Sequence, residues 1–207
     1  MKTLKRSIII DVDGTLYDSF SHDDKKIIEA IFKNNFLVKI VDKLLWSINS
    51  LDYISNSMGM LKFRLMLYSV LSLKSYTEIS KAYKHRYQKL LTVYLYTKLD
   101  TLKQLSKDYD IILVTNNVYA LNVLYHDYHV LYAPNVLNRR EQILTLNADS
   151  SISYIIGNNF TDDIFLAKRH NIACIYVGNS ILKKRYKATY NVLSFDEVLK
   201  IVKKDGY

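Results

Sequence analysis

The sequence predicts an α/β fold, a doubly wound and mostly parallel sheet with an α-helical insertion directly after its first strand. Three observations point there. Ser7-Ile8-Ile9-Ile10 is a short β-branched run that stops on an acidic turn, Asp11-Val12-Asp13-Gly14-Thr15. From about Ser21 to Lys98 the apolar residues recur at helical spacing instead. After Leu99 short apolar runs alternate with helical patterns, as they do when crossover helices cover both faces of a parallel sheet.

Taken in order, residues 6–10 read as a buried strand followed by a turn. Ile27, Ile28, Ile31, Phe32, Val38, Val41, Leu44 and Leu45 then mark helical faces, and Met58–Leu73 marks another. Ser75-Tyr76-Thr77-Glu78 is a capping box: the Ser75 hydroxyl can accept from a free backbone N–H while Glu78 reaches back. The helix it opens is expected to run through about Tyr94, with Tyr76, Tyr83, Tyr87 and Tyr94 on a packing face. Thr101–Lys107 reads as a helix, Asp110–Thr115 as a strand, Asn117–His126 as a helix and His129–Ala133 as a short strand. Arg139–Asn147 is then helical, Ile152–Ile156 a strand, Asp162–His170 a helix and Ile172–Val177 a strand. A strand near Tyr190–Leu193 and a helix from Phe195 to Lys203 close the chain. Residues 1–18 and 99–207 form the expected core domain, and residues 19–98 the inserted helical domain.

Composition excludes several classes. The 207 residues are 49% hydrophobic and 24% charged, too apolar for wholesale disorder. Five Gly and one Pro leave no room for a linker-dominated chain. Cys174 is the single cysteine, so neither a disulfide framework nor a multi-Cys zinc site can form, and it is expected as a small buried side chain beside Ile175. The five histidines show no metal-ligand spacing. No apolar run approaches the roughly 20 residues of a membrane span, and the N-terminal one is too short for a secretory signal, so a cytoplasmic protein is expected. The net charge of +9 would suit nucleic acid or another anion, but it is spread along the chain apart from Lys183-Lys184-Arg185 and Lys187. No nucleic-acid signature accompanies it.

In open α/β sheets ligands bind beyond the carboxyl ends of the strands, and three of those ends carry related chemistry here. Asp11 and Asp13, one residue apart, can project toward one site as the chain leaves the first strand, and Gly14 permits the tight turn. Such hard oxygen ligands suit Mg²⁺, although taken alone the pair also fits two turn-forming aspartates. Thr115-Asn116 brings a hydroxyl and an amide that can donate to a phosphoryl oxygen. Gly157-Asn158-Asn159-Phe160-Thr161-Asp162-Asp163 is small, polar and acidic, and Asp162 or Asp163 could also cap the helix that follows.

Together these segments resemble the haloacid dehalogenase (HAD) superfamily of phosphohydrolases over essentially the whole chain. Asp11-Val12-Asp13-Gly14-Thr15-Leu16 matches the family's first motif, Ile112-Leu113-Val114-Thr115-Asn116 looks like the second, and Gly157–Asp163 with Ile164 and Ala167 is similar to the fourth. The resemblance implies a HAD-like Rossmannoid core with residues 19–98 as a type-one cap. It implies that Asp11 is the nucleophile and Asp13 the acid and base, that Thr115 holds the phosphoryl group with Asn116 beside it, and that Mg²⁺ is the cofactor. The implied metal ligands are Asp11, the Asp13 carbonyl, Asn158 and Asp163, with Asp162 the alternative. The sequence departs from the family in two places. Asn158 stands where the fourth motif usually has Asp. The third-motif Lys has no match, and Arg139 or Arg140 is the candidate cation, with the different geometry of a guanidinium.

The expected activity is Mg²⁺-dependent hydrolysis of a small phosphomonoester, of the nucleotide or sugar phosphate type. Because the family's dehalogenases lack the acid, Asp13 favours phosphate esters over carbon–halogen bonds. Asn158 and the missing Lys support the alternative, a catalytically weakened HAD-fold binding or regulatory protein. Action on nucleic-acid ends rests only on the charge.

Overall fold

Successive isoleucines of the first strand, β1 (Arg6–Asp11), serve opposite sides of the molecule, as the two-residue period of a strand requires. Ile8 and Ile10 join one core, and Ile9 joins the other. The computed structural model describes residues 5–16, 24–49, 58–124, 128–133, 141–146, 151–159, 163–178 and 187–205. Five more strands pair with β1: β2 (Tyr109–Thr115), β3 (His129–Tyr132), β4 (Ile152–Gly157), β5 (Ala173–Val177) and β6 (Tyr190–Val192). They form one sheet in the order β3-β2-β1-β4-β5-β6, every neighbouring pair parallel. The expected α/β, doubly wound parallel sheet is present.

The insertion comprises α1 (Asp24–Ile31), α2 (Phe36–Asn49), α3 (Met58–Ser72) and α4 (Tyr76–Leu105). Beyond β2 come α5 (Val118–Leu124), α6 (residues 141–146), α7 (Phe165–Arg169), a 3₁₀ turn at Phe195–Glu197 and α8 (Val198–Asp205). Leu102 and Leu105 of α4, Ala120 and Leu124 of α5, and Val198 and Val202 of α8 cover one face of the sheet. Ile143 of α6 and Leu166 and Ala167 of α7 cover the other, where Cys174 lies fully buried as expected.

One element differs from expectation. A single 30-residue helix, α4, replaces the two helices expected to either side of Tyr94–Thr101. At 1.5 Å per residue it is about 45 Å long. No Gly or Pro interrupts residues 76–105, and the exposed Val93 and Tyr96 obscure the apolar stripe of this stretch. The expected division between residues 98 and 99 therefore falls inside α4. The capping box at its start is formed: Glu78 N donates to Ser75 Oγ at 3.2 Å, and Ser75 N to Glu78 Oε2 at 3.4 Å.

A charged cluster joins α2 to α3. The Arg64 guanidinium donates to Asp42 Oδ1 at 2.8 Å and, through Nε, to the Tyr68 hydroxyl at 3.2 Å; that hydroxyl donates to the same Asp42 oxygen. Burial pushes the Tyr68 phenol above its ordinary range, opposed by the Arg64 charge. Leu44, expected on a packing face, is 60% exposed instead, on the side of α2 away from the buried Val38 and Asp42.

Candidate active site

The sheet order reverses around β1, which lies between β2 and β4, and the register brings three strand ends to one level. Asp11 pairs with Val114 of β2, and Ile10 with Ile156 of β4. Val12 N extends the first pairing by donating to Val114 O at 3.0 Å. Thr115 and Gly157-Asn158 therefore leave the sheet beside Asp11-Val12-Asp13, at the switch point where such folds bind ligands.

A tight turn follows β1: Thr15 N and Leu16 N both return to Val12 O, at 3.4 and 3.1 Å. It needs Gly14 for two reasons. The backbone there has φ of +84°, and a methyl group would stand 2.0 Å from Asn158 Nδ2. Asp11 is 6% exposed, and its Oδ2 accepts from Thr15 Oγ1 at 3.4 Å. Asp13 is held on both carboxylate oxygens: Thr115 Oγ1 donates to Oδ2 at 2.6 Å and the Tyr87 hydroxyl to Oδ1 at 2.9 Å. Thr115 Oγ1 in turn accepts from Asn117 N at 3.0 Å. The hydroxyl expected on a phosphoryl oxygen is thus engaged with Asp13 here.

On the β4 side, Asp163 is 1% exposed, packed under Gly157, where an added methyl would meet its Oδ2 at 2.1 Å. That oxygen accepts from Asn159 N at 3.0 Å and so closes the loop after β4. Asp163 does not cap α7, whose N-cap is Ile164 with no side-chain bond.

Three solved structures resemble this chain over nearly its whole length. YfnB from Bacillus subtilis, described as a HAD-hydrolase bound to magnesium, shares 15% identity at a TM-score of 0.64, covering 96% of this chain and 99% of that one. A 2-haloacid dehalogenase from Pseudomonas syringae pv. Tomato shares 17% identity at 0.55, over 97% and 99%. A HAD phosphatase from Thermococcus onnurineus shares 17% identity at 0.52, over 95% and 97%. This chain has the HAD fold. No protein-family model and no curated protein matches its sequence.

In that HAD fold, Asp11, Asp13, Thr115, Asn116 and Asn158 all stand at the ends of β1, β2 and β4. Arg139, Arg140 and Asp162 lie outside the described residues, as do Lys183, Lys184 and Arg185. Among the described residues, no three His, Cys, Asp or Glu side chains cluster closely enough to hold a metal. The amide at residue 158 nevertheless fits a cation ligand: Asn158 Oδ1 is buried and has no hydrogen-bond partner. Leaving a buried acceptor unsatisfied costs about 1–3 kcal/mol, and a hard cation at this oxygen would remove that cost. The Asp11 carboxylate, the Asp13 carbonyl and Asn158 Oδ1 could hold such a cation, all three being oxygen donors, the chemistry Mg²⁺ takes. Sequence reasoning missed two residues of the site, Tyr87 and Asn117. An Asn one residue before a helix is an ordinary cap signal and could have marked Asn117, whose Oδ1 accepts from Tyr119 N at 3.0 Å. Nothing local marks Tyr87.

Proposed function

We propose that this chain is a cytoplasmic, Mg²⁺-dependent phosphatase that hydrolyses a small phosphomonoester, of the nucleotide or sugar phosphate type, through an aspartyl-phosphate on Asp11. One observation carries the reading: a second carboxylate, Asp13, stands two residues beyond Asp11 and is held on both oxygens by side chains from other elements. A chain using Asp11 only to displace halide from carbon would have no task for that group.

Asp11 attacks phosphorus, the bond from phosphorus to the ester oxygen breaks, and Asp13 gives that oxygen its proton. Water then attacks the phosphorus of the aspartyl-phosphate, Asp13 takes its proton, and the bond to Asp11 breaks, releasing inorganic phosphate and restoring both groups. Thr115 would donate to a phosphoryl oxygen once its hydroxyl turns from Asp13, with Asn116 beside it. The Asp11 carboxylate, the Asp13 carbonyl and Asn158 Oδ1 would hold Mg²⁺, which would supply charge neutralisation and alignment of the phosphoryl group. Asp162 or Asp163 would complete its surroundings, and Arg139 or Arg140 would supply the cation of the missing Lys. The helical insertion, the proposed cap, reaches the site through Tyr87 of α4, which favours small substrates over phosphoproteins.

Two features favour the alternative of a catalytically weakened HAD-fold binding protein, the neutral Asn158 and the missing third-motif Lys. Release of p-nitrophenol from p-nitrophenyl phosphate, with and without Mg²⁺, separates the two, followed by a panel of nucleotide and sugar phosphates. Mg²⁺-dependent turnover is expected. A folded chain inert on the whole panel would overturn the phosphatase reading.

A further inference from the structure

Tyr87 lies 74 residues from Asp13 in the sequence, on a helix of the insertion, yet its hydroxyl ends on the Asp13 carboxylate at 2.9 Å. Its ring is 3% exposed, and a phenylalanine would fill the same space. A buried tyrosine needs a partner for its hydroxyl, and here that partner is the group assigned to proton transfer.

The tyrosine is itself held in place. Its ring stacks on Tyr83 with centroids 6.3 Å apart and planes at 17°, and meets Tyr119 of α5 at 6.4 Å, edge on. Two hydrogen bonds tie α4 to α5 at this level, between Ser80 Oγ and the Tyr119 hydroxyl at 3.0 Å and from Gln88 Nε2 to Tyr119 O at 3.2 Å. Asn117 starts α5: its Oδ1 accepts from Tyr119 N and its N donates to Thr115 Oγ1. Thr115 then donates to the second oxygen of Asp13. Asp13, Thr115, Asn117, Tyr119 and Tyr87 thus form a closed circuit of contacts returning to Asp13. The carboxylate is gripped from β2 and from α4, and it cannot turn about its own bond without giving up both hydroxyls.

We propose that Tyr87 is the positioning residue of the leaving-group acid, fixing the Asp13 carboxyl in the orientation from which its proton passes to the ester oxygen. This rests on the phosphatase reading above. Proton transfer by a placed side chain is typically worth 10²–10⁴-fold, and small misplacements of such groups are costly. In the transfer to Asp11 the benefit falls on esters whose leaving oxygen is strongly basic, whereas the later hydrolysis is common to all esters. A nitrophenolate departs readily without a proton, whereas an alkoxide does not.

The test compares kcat/KM of the wild-type chain, Tyr87→Phe and Tyr83→Phe on p-nitrophenyl phosphate and on glycerol phosphate, because kcat/KM reports phosphoryl transfer to Asp11 and excludes the later hydrolysis that both esters share. Tyr87→Phe keeps the ring and loses only the hydroxyl. On the alkyl ester its kcat/KM should fall roughly 10–100-fold, and on the aryl ester by no more than about threefold. Tyr83→Phe should leave the ratio of the two esters at its wild-type value. Tyr87→Leu, which gives up the ring contacts as well, should show the same split in whatever fraction folds. In an Asp13→Asn background, Tyr87→Phe should have no further effect, because its route is gone. An equal loss of kcat/KM on both esters, no loss on either, or a full effect without Asp13 would overturn the assignment of Tyr87 while leaving the phosphatase reading intact. A wild-type chain inert on both esters would overturn that reading and this assignment with it.

Discussion

Replacing Gly14 by alanine tests the close approach of the β1 turn to the β4 loop. The backbone at Gly14 has φ of +84°, where a side chain costs about 1–2 kcal/mol. The new methyl would stand 2.0 Å from Asn158 Nδ2 and 2.9 Å from Asn158 Cγ, so the amide has to swing away. Asn158 is only half-buried and can move, which limits the loss of stability to about the backbone cost. For a chain of this size that corresponds to a thermal midpoint lower by roughly 2–8 °C. The consequence for the site is larger, because the swing carries Asn158 Oδ1 away from Asp11 and Asp13. Circular dichroism melts give the first quantity, and Mg²⁺ titration of phosphatase activity in the folded protein gives the second, expected to require several-fold more metal. Gly157→Ala supplies the contrast. Its methyl would meet Asp163 Oδ2 at 2.1 Å and Cγ at 2.2 Å, and Asp163, 1% exposed, has nowhere to go. Overpacking of that kind costs about 1–3 kcal/mol, here expected at the upper end. A Gly14→Ala chain with wild-type melting and wild-type Mg²⁺ requirement would refute the reasoning, and so would a Gly157→Ala chain more stable than Gly14→Ala.

Asp11→Asn should melt close to the wild-type chain and show no turnover, since a neutral amide does not attack phosphorus; activity near wild type in a clean preparation would remove Asp11 as nucleophile. Asp42→Asn leaves the Arg64 guanidinium, 4% exposed, without its counter-charge and should cost about 3–5 kcal/mol in urea unfolding. Asp42→Leu combined with Arg64→Met should recover most of it. Because burial raises the folded-state pKa of Tyr68, its contribution is complete below the unfolded value of about 10 and declines as the pH rises above it. Alkaline denaturation should therefore begin near that pH and weaken in Tyr68→Phe. Asn158→Asp should lower the Mg²⁺ concentration needed for half-maximal activity, and an unchanged requirement would mean that Asn158 is not a ligand.

The sheet was legible because its strands are written in short, nearly continuous β-branched and apolar runs. Ile8-Ile9-Ile10, Ile111–Val114 and Tyr154–Ile156 bury side chains on both faces, and a doubly covered sheet leaves few polar positions to blur the pattern. The helical insertion was harder to read. Phe36, Leu37, Ile40, Leu44, Phe63, Met66 and Val70 are exposed on α2 and α3, so apolar spacing there does not separate the packed side from the open one. The continuity of α4 was missed for the same reason.

A similar distinction runs through the site. Asp11, Asp13 and Gly14 belong to one turn, and Gly157 and Asn158 to another; local chain geometry fixes each group, so residue type and spacing were enough to find them. Thr115 follows from the last position of a strand. Tyr87 belongs to neither a turn nor a strand end. Whether its hydroxyl reaches Asp13 depends on the rotation of a 30-residue helix about its axis and on its seating against α5, neither of which the local sequence states. In periodicity it is indistinguishable from Tyr83, one turn earlier and 4% exposed against 3%. The reading of both as packing residues is correct for the rings and silent about the hydroxyls. The groups with reactive chemistry therefore lie where local sequence is informative, while the groups that orient them arrive from another layer of the fold. Here that layer is α4, packed against α5, and the group it brings is the Tyr87 hydroxyl on Asp13.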